Sequence, residues 1–300
     1  MRPPAFWNAP PDKPGVWSQL LSPLGALYAA LTARRLAKGR PIHVRVPVIC
    51  VGNVNAGGTG KTPTVIALMQ MLNDLGKTVH VVSRGYGGSL EGPVQVDPRN
   101  HDAAQVGDEP LLLAAFGTVW VAKDRAQGAL SAELAGADVV LVDDGLQNPG
   151  VAKDLSLIVV DASQGFGNGR CIPAGPLREP VAAAMARADL VLSIGPEDTQ
   201  TQFAETWDKQ ITLPHLSGYL LPLQTGMDWQ DTPVLAFAGI GRPEKLFQSL
   251  EQAGGTVIRR IPFPDHHNFT VKDANHLTKL ALADDLQLVT IWRTNTNNCC

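Results

Sequence analysis

Short apolar runs alternate with longer amphipathic segments over the first two thirds of the chain. The runs are rich in valine and leucine, as is typical of strands buried on both faces of a sheet. Segments with helical spacing lie between them, at about 62–75 and 126–134. This alternation predicts an α/β fold, with a mostly parallel sheet flanked by helices. The predicted strands are 48–51, 78–82, 118–122, 139–142, 155–161 and 188–194.

The pattern changes near 216–229, where short alternating segments are broken by Gly218 and Gly226. Such segments indicate a hairpin or a linker. An apolar run at 234–238, a helical segment at 243–253 and a further run at 256–260 follow. We therefore expect a first domain over 1–215, a hairpin linker over 216–232 and a smaller α/β domain over 233–300.

The stretch 48–64 reads VICVGNVNAGGTGKTPT. A strand, a glycine-rich loop and a helix in this order form a phosphate-binding loop, because the loop N–H groups and the helix N-terminus converge on one point. The pattern GxxxxGK[ST] is not fully met, since Asn55 stands where the first glycine belongs. A glycine-rich turn unrelated to phosphate is the alternative. The predicted phosphate-binding residues are Asn55, Ala56, Gly57, Gly58, Thr59, Gly60, Lys61 and Thr62.

Two acidic residues follow the apolar run at 139–142. A buried strand that ends in an acid has the Walker B form, in which a carboxylate reaches the magnesium ion of a phosphate-binding loop. Asp143 and Asp144 are both candidates for this carboxylate ligand. The Thr62 hydroxyl is a further candidate ligand of the same magnesium ion. The strand 78–82 also ends in a polar loop, SRGYGG, which we expect at the same edge of the sheet. A purely structural turn is the alternative for that loop.

Two further polar clusters allow more than one interpretation. Asp108 and Glu109 precede Pro110, which we expect at a first helical position, and acids at a helix start interact favourably with its dipole. The residues alone favour that structural role. His266 and His267 follow Asp265 without the spacing of a metal motif. They belong either to a loop that faces the site of another domain or to a surface loop.

Composition narrows the class of protein. Hydrophobic residues make up 44% of the chain and charged residues 18%, as in a globular protein with a substantial core. A net charge of -3 gives no reason to expect nucleic acid as a partner. The four cysteines are too few to indicate a disulfide framework, and they lack the spacing of metal ligands. Both observations favour a reducing compartment.

The N-terminal segment is apolar over 16–31 and ends in the basic residues Arg34, Arg35, Lys38 and Arg40. Pro23 and several polar residues interrupt it, and it falls short of the roughly twenty apolar residues of a membrane span. An apolar helix with a basic end lies in the interface of an anionic membrane. A helix packed on its own domain is the alternative, and the residues do not decide between the two.

From about residue 15 to 285 the chain resembles the family of tetraacyldisaccharide 4'-kinases, the lipid A 4'-kinases of Gram-negative bacteria. Several matching blocks are specific to that family, and Asn55 is part of one of them. The blocks occur in family order: VGNVNAGGTGKTP (51–63), SRGYGG (83–88), GDEPLLL (107–113), KDR (123–125), DDGLQN (143–148), PAGPLREP (173–180), AGIGRPEKLF (238–247) and FPDHHNFT (263–270).

The resemblance implies ATP-dependent phosphorylation of the 4'-hydroxyl of a tetraacyldisaccharide 1-phosphate, giving lipid IVA in lipopolysaccharide biosynthesis. It implies two α/β/α domains joined by a two-stranded linker, with ATP and Mg²⁺ bound in the cleft between them. It also implies a peripheral protein on the cytoplasmic face of the bacterial inner membrane, docked through the N-terminal helix at about 15–40. No obligate protein partner and no nucleic acid are implied.

The resemblance also assigns roles to single residues. Lys61 would hold the β- and γ-phosphates, and Asp108 would be the general base, paired with His266 of the second domain. The magnesium ligands would come from Thr62, Asp143, Asp144 and Glu109. The remaining positions that would line the cleft are Ser83, Arg84, Tyr86, Arg125 and Gln147.

Two other functions remain open. A membrane-associated P-loop ATPase switch is one, although that class carries a lysine where this chain has Ala56. An inactive relative is the other, because residues 291–300 depart from the family pattern after the last predicted strand.

Overall fold

The computed structural model describes residues 4–221, 229–239, 243–264, 267 and 269–290. These residues form two compact units that divide between Leu220 and Leu221. The first unit holds an eight-stranded sheet and the second a three-stranded sheet.

The large sheet is parallel except at one edge. Its strand order is β3-β4-β2-β5-β1-β6-β7-β8, and only the short β3 pairs antiparallel, with β4. The order places β5 and β1 at the centre, each between two parallel neighbours. The strands are β1 Val48–Gly52, β2 Val79–Ser83, β3 Val94–Gln95, β4 Thr118–Val121, β5 Val139–Asp143, β6 Leu155–Asp161, β7 Leu190–Ile194 and β8 His215–Gly218.

Helices cover both faces of this sheet. They are α1 Gly15–Ala37, α2 Lys61–Asp74, α3 Ala103–Val106, α4 Asp108–Ala114, α5 Arg125–Leu134, α6 Val181–Met185 and α7 Glu197–Trp207, with 3-10 turns at Ala5–Asn8 and Asp208–Gln210. Alternate residues of β5 enter different cores. Leu141 packs in the cluster that contains Met69 of α2, whereas Val140 packs in the cluster that contains Ala129 of α5. This two-sided burial explains the unbroken apolar runs, and it confirms the predicted α/β sheet flanked by helices.

The second unit is a smaller parallel sheet with the strand order β10-β9-β11. Its elements are β9 Pro233–Ala238, α8 Pro243–Gln252, β10 Thr256–Pro262, α9 Val271–Ala283 and β11 Gln287–Thr290. Phe247 and Leu250 of α8 pack with Val234, and Leu277 of α9 packs with Leu235. Adjacent residues of β9 therefore point into two different cores, which is the layering expected of an α/β unit.

Three details differ from the sequence-based expectation. Helix α4 begins at Asp108, so Pro110 is its third residue and not its first. The polar segment 91–105, for which the sequence predicts no helix or strand, contains β3 and part of α3, whose start is fixed by a capping box between Asp102 and Gln105. Residues 216–218, expected in a hairpin linker, lie in β8, which pairs parallel with β7. The rest of that hairpin falls mainly on 222–228, outside the described residues, and stays a prediction.

Candidate functional site

The glycine-rich loop joins the end of β1 to the start of α2, as the sequence predicts. A second segment, 176–178, runs beside it: Ala56 N–H donates to the Pro176 carbonyl at 2.7 Å, and Arg178 N–H donates to the Val54 carbonyl at 2.7 Å. The Asn55 amide donates to the Gly165 carbonyl at 3.0 Å. The residue that replaces the first glycine therefore uses its side chain to hold the loop in place.

The helix that follows the loop presents Lys61 and Thr62 as its first two residues. The loop is also fixed from within, since the amide of Asn53 donates to the Gly57 carbonyl at 3.0 Å. Backbone N–H groups at a helix start carry a partial positive charge, and Lys61 adds a full one. The structure thus brings together the parts of an anion site that the sequence predicts in this stretch.

Asp143 ends the central strand β5 and is almost fully buried. The Ser83 hydroxyl donates to its Oδ2 at 3.1 Å. Burial, followed by the negative charges of Glu109 and Asp144, raises the pKa of Asp143 to about 6. Ser83 and Asp143 therefore meet at the carboxyl edge of the sheet, and the charge of Glu109 acts on the same carboxylate.

Asp144 lies beside two cations. Its carboxylate accepts hydrogen bonds from Arg178 Nη1 at 2.8 and 2.9 Å, and its Oδ1 lies 3.7 Å from Lys61 Nζ. Burial alone would raise the pKa of Asp144, but Lys61 and Arg178 outweigh it, and the pKa lies below its ordinary value. The two neighbouring acids therefore differ: the surroundings of Asp143 raise its pKa, whereas the cations beside Asp144 lower its pKa.

Gln147 connects the loop after the acid pair to the phosphate-binding loop. Its side-chain amide donates to the Asn53 carbonyl and to Glu179 Oε1, both at 2.9 Å, and its Oε1 accepts from Arg178 Nη1 at 3.4 Å. Gln147 thus lies between the phosphate-binding loop and the Arg178–Asp144 pair. Arg178 and Glu179 were not among the predicted site residues. The motif PAGPLREP contained the signal, since it places one arginine and one glutamate in a rigid loop.

Arg125 is a buried cation at the first position of α5, behind the helix cap Asp124. Burial and the neighbouring charge of Arg84 lower the pKa of Arg125, and Asp144 and Asp143 partly oppose this. The charge of Arg125 therefore acts on the acid pair, and its place in the lining of the site stays a prediction. Arg84 and Tyr86, in the loop after β2, are both exposed.

Asp108 and Glu109 are exposed residues in the first turn of α4. Gly107, directly before them, has a φ of +91°, and a Cβ there would lie 2.6 Å from the Tyr86 carbonyl oxygen. Only glycine allows the start of α4 to approach the SRGYGG loop this closely. His266, the expected partner of Asp108, lies outside the described residues. The pairing of Asp108 with His266 stays a prediction.

Four buried side-chain atoms of the described residues lack a hydrogen-bond partner: Asn53 Oδ1, Thr59 Oγ1, Arg125 Nε and Asp143 Oδ1. All four belong to the phosphate-binding loop or to the residues around the acid pair. Unpaired buried polar atoms are rare in folded proteins, and their concentration at one place indicates a ligand site. Donors and acceptors are both present, as required for a phosphate group with a bound cation.

The described residues contain no group of three or more His, Cys, Asp or Glu side chains that could hold a metal ion by themselves. Magnesium bound to a nucleotide needs fewer protein ligands, because phosphates and waters fill most of its positions. Asp143, with its unpaired Oδ1, and Thr62 fit such a site.

Helix α1 presents its large apolar residues outward and its small residues inward. Trp17, Leu20 and Leu27 are 64%, 67% and 56% exposed, whereas Ser18 and Gly25 are buried. The Ser18 hydroxyl donates to the Ala174 carbonyl at 2.7 Å. None of the helices in the described part of the chain is both long and apolar enough to cross a bilayer.

Comparison with known proteins decides the family. The model of the tetraacyldisaccharide-1-P 4'-kinase family matches residues 17–292. The chain belongs to this family. The match covers both units, and it ends close to the point where the sequence departs from the family pattern.

Named members of the family are closely similar to the chain. The tetraacyldisaccharide 4'-kinase of Dinoroseobacter shibae is 60% identical over 291 residues, which cover 97% of this chain and 86% of the relative. That of a Jannaschia species is 58% identical over 270 residues, or 90% and 81% of the two chains. A crystal structure of LpxK from Aquifex aeolicus in complex with ATP has a TM-score of 0.70 at 25% identity and covers 92% of this chain and 88% of its own.

Proposed function

We propose that the chain transfers the γ-phosphoryl group of ATP to the 4'-hydroxyl of a tetraacyldisaccharide 1-phosphate, releasing ADP and a proton. The observation that carries this proposal is the cluster formed by Lys61, Asp143, Asp144 and Arg178 at the phosphate-binding loop. Family membership supplies the acceptor, because the curated relatives are named for that reaction. The product is lipid IVA, an intermediate of lipopolysaccharide biosynthesis.

ATP fits the loop through charge and hydrogen bonding. Lys61 and the N–H groups of residues 57–60 would bind the β- and γ-phosphates, and the buried guanidinium of Arg125 would face the same negative charge. Phosphate oxygens would satisfy Thr59 Oγ1 and Arg125 Nε, which are unpaired. Binding of the triphosphate therefore removes the cost of leaving these groups unpaired.

Thr62 and Asp143 would hold the magnesium ion, with Asp144 and Glu109 as further candidate ligands. When bound, Mg²⁺ neutralises the charge that develops on the phosphoryl oxygens. Asp143 suits this role because its Oδ1 is buried without a partner. The carboxylate must be ionised to serve as a ligand. A bound cation would lower the raised pKa of Asp143 and so favour the ionised form.

The acceptor hydroxyl needs a base, since a sugar hydroxyl does not lose its proton readily. We assign this role to Asp108, as family resemblance implies. Its exposed position in the first turn of α4 leaves room for a bulky acceptor. His266 would accept or share the proton from Asp108.

The lipid acceptor resides in a membrane, and α1 is suited to reach it. Its exposed tryptophan and leucines can enter the interface, and Arg34 and Arg35 lie in its last turn, where anionic headgroups would attract them. Arg35 Nη2 also donates to the Gln147 carbonyl at 3.4 Å, so the basic end of α1 lies next to the site. We propose that α1 docks on the cytoplasmic face of the inner membrane.

A transfer assay tests this function. The purified protein is mixed with γ-labelled ATP, Mg²⁺ and tetraacyldisaccharide 1-phosphate in detergent, and we expect labelled lipid that depends on both substrates. The 4'-phosphorylated product added in place of the acceptor is the matched control and should remain unlabelled. ATP hydrolysis without a lipid product would support the ATPase switch, and the absence of both reactions would support an inactive relative; either result would overturn the proposal.

A further inference from the structure

Two cations outside the phosphate-binding loop hold the segment that follows the acid pair. The Leu146 carbonyl accepts from Lys153 Nζ at 3.3 Å and from Arg187 Nη1 at 3.1 Å, and the Asn148 carbonyl accepts from Lys153 Nζ at 2.9 Å. Neither cation is part of the family motifs identified in the sequence. Both donate hydrogen bonds to backbone carbonyls, so they hold the backbone of this segment in place.

Arg187 makes a second contact that leads back to the site. Its Nη2 pairs with Glu179, whose side chain is 3% exposed. Glu179 Oε1 in turn accepts from the Gln147 amide at 2.9 Å. A planar guanidinium has two separate donor ends, and Arg187 uses one for Leu146 and the other for Glu179. Arg187 thereby holds the backbone at Leu146 directly and the side chain of Gln147 through Glu179.

The connection continues from Gln147 to the phosphate-binding lysine. Gln147 Oε1 accepts from Arg178 Nη1, which also binds Asp144, and Asp144 lies beside Lys61. From Arg187 to Lys61, each member is held by the next through a hydrogen bond or an ion pair. Such a network fixes the direction in which the Asp144 carboxylate points.

The backbone at Asp144 needs external support. Asp144 has a φ of +50°, a left-handed conformation that is uncommon outside glycine, although aspartate adopts it more readily than most residues. Such a conformation persists only where the surrounding contacts impose it. On the side of the following residues, Lys153 and Arg187 supply those contacts.

We propose that Arg187 is a positioning residue for phosphoryl transfer, which acts through Glu179 and Gln147 on the Arg178–Asp144 pair. The inference rests on the proposed function. The side chain has no place among the groups that hold ATP, so its loss should leave the nucleotide bound but misdirect Asp144. Misplacement of a catalytic group by about 1 Å lowers rates by roughly a hundredfold.

The test compares Arg187→Gln with the unchanged chain in the lipid-transfer assay. We expect kcat to fall by about ten- to a hundredfold, with the KM for ATP and the dissociation constant for ATP changed by less than about threefold. Arg187→Lys keeps the charge but not the two-ended geometry, and its kcat should lie between the two. Guanidinium ion at millimolar concentration should partly restore kcat of Arg187→Ala, because it can occupy the vacated position.

A double-mutant cycle with Glu179→Gln tests the proposed route. If Arg187 acts through Glu179, the double variant should be no slower than the slower single variant. Arg259→Gln, which removes an ion pair with Asp284 in the second unit, is the matched control and should leave kcat unchanged.

Three results would overturn the inference: an unchanged kcat in Arg187→Gln, additive effects in the cycle, or a parallel loss of kcat, ATP affinity and thermal stability that guanidinium does not reverse. If Arg187→Gln does not fold, Arg187→Lys and the Glu179 variant decide by the same criteria. Absence of lipid phosphorylation by the unchanged chain would instead refute the proposed function, and the two failures are thereby distinguished.

Discussion

The Lys61 ammonium group lies 3.7 Å from Oδ1 of Asp144, a carboxylate that Arg178 also binds. One acid thus shares its charge between the lysine of the phosphate-binding loop and an arginine that lies far away in the sequence. A phosphate that binds Lys61 has to compete with Asp144 for it. The arrangement links the loop to the segments 143–148 and 173–180, so that three separate parts of the sequence meet at the Asp144 carboxylate.

Lys61→Met should therefore abolish most of the affinity for the transition state. We expect kcat/KM for ATP to fall by about a hundredfold or more, since a preorganised charge on a phosphoryl group is lost. Steady-state kinetics with varied ATP measures the effect. Lys77→Met, which changes an exposed lysine just after α2, is the matched control. Near-normal kcat/KM in Lys61→Met would contradict the assignment of Lys61 to the phosphates.

Asp143→Asn should remove the phosphoryl-transfer activity. In the absence of metal, it should also make the folded protein more stable at pH 8. The pKa of Asp143 is raised to about 6 in the folded chain by burial and by Glu109 and Asp144. Above that pH the folded state holds a charge that the unfolded state accommodates more easily. The expected gain in the free energy of unfolding is up to about 3 kcal/mol.

The effect of Asp143→Asn on stability should depend on pH in a defined direction. Because the folded pKa lies above the unfolded one, Asp143 contributes stability below about pH 4, which is lost as the pH rises through about 6. The gain from Asp143→Asn should therefore vanish toward pH 4. Asp144→Asn is the matched control with the opposite sign at pH 8, since the pKa of Asp144 is lowered by Lys61 and Arg178. Denaturant titration in the presence of a chelator measures both, and destabilisation by Asp143→Asn at pH 8 would refute the argument.

Much of the fold could be predicted because its signals are local. Strands buried on both faces are predominantly apolar, and this marks β1, β2, β5 and β6 in the sequence. The phosphate-binding loop and the acids after β5 are also contiguous motifs. Edge strands carry a weaker signal: all residues of β8 remain partly or fully exposed, and the sequence at 216–218 indicates a linker and not a strand.

The contacts that complete the site could not be predicted, because they join distant segments. Arg178 meets Asp144 across 34 positions and Arg187 meets Leu146 across 41. The motif PAGPLREP marks Arg178 but does not reveal its partner, and Arg187 lies outside all the motifs. The glutamine of DDGLQN was assigned to the site only through family resemblance, and the structure adds that it bridges Asn53 and Glu179.

Asp108→Asn should slow phosphoryl transfer without weakening ATP binding. The amide has the same shape as the carboxylate but cannot take the hydroxyl proton, and loss of a general base lowers kcat by about 10²- to 10⁴-fold. The transfer assay gives kcat, and calorimetry gives the dissociation constant for ATP. Asp198→Asn, another exposed acid in the first turn of a helix, is the control and should behave as the unchanged chain. A variant with near-normal kcat would show that another group takes the proton.

Replacing Leu20, Leu24 and Leu27 of α1 by glutamine should release the protein from membranes. These side chains are exposed on the first unit, so the change removes no core packing, but it removes apolar surface that the proposed docking would bury. Burial of a leucine contributes about 1.5–3 kcal/mol, and partial burial of three should account for roughly a hundredfold in vesicle affinity. Co-sedimentation with vesicles containing anionic lipid measures that affinity, and transfer to monomeric acceptor in detergent should change far less. The triple variant at Met71, Leu75 and Leu134, which are exposed apolar residues outside α1, should bind vesicles normally; equal loss in both variants would show that α1 is not the docking element.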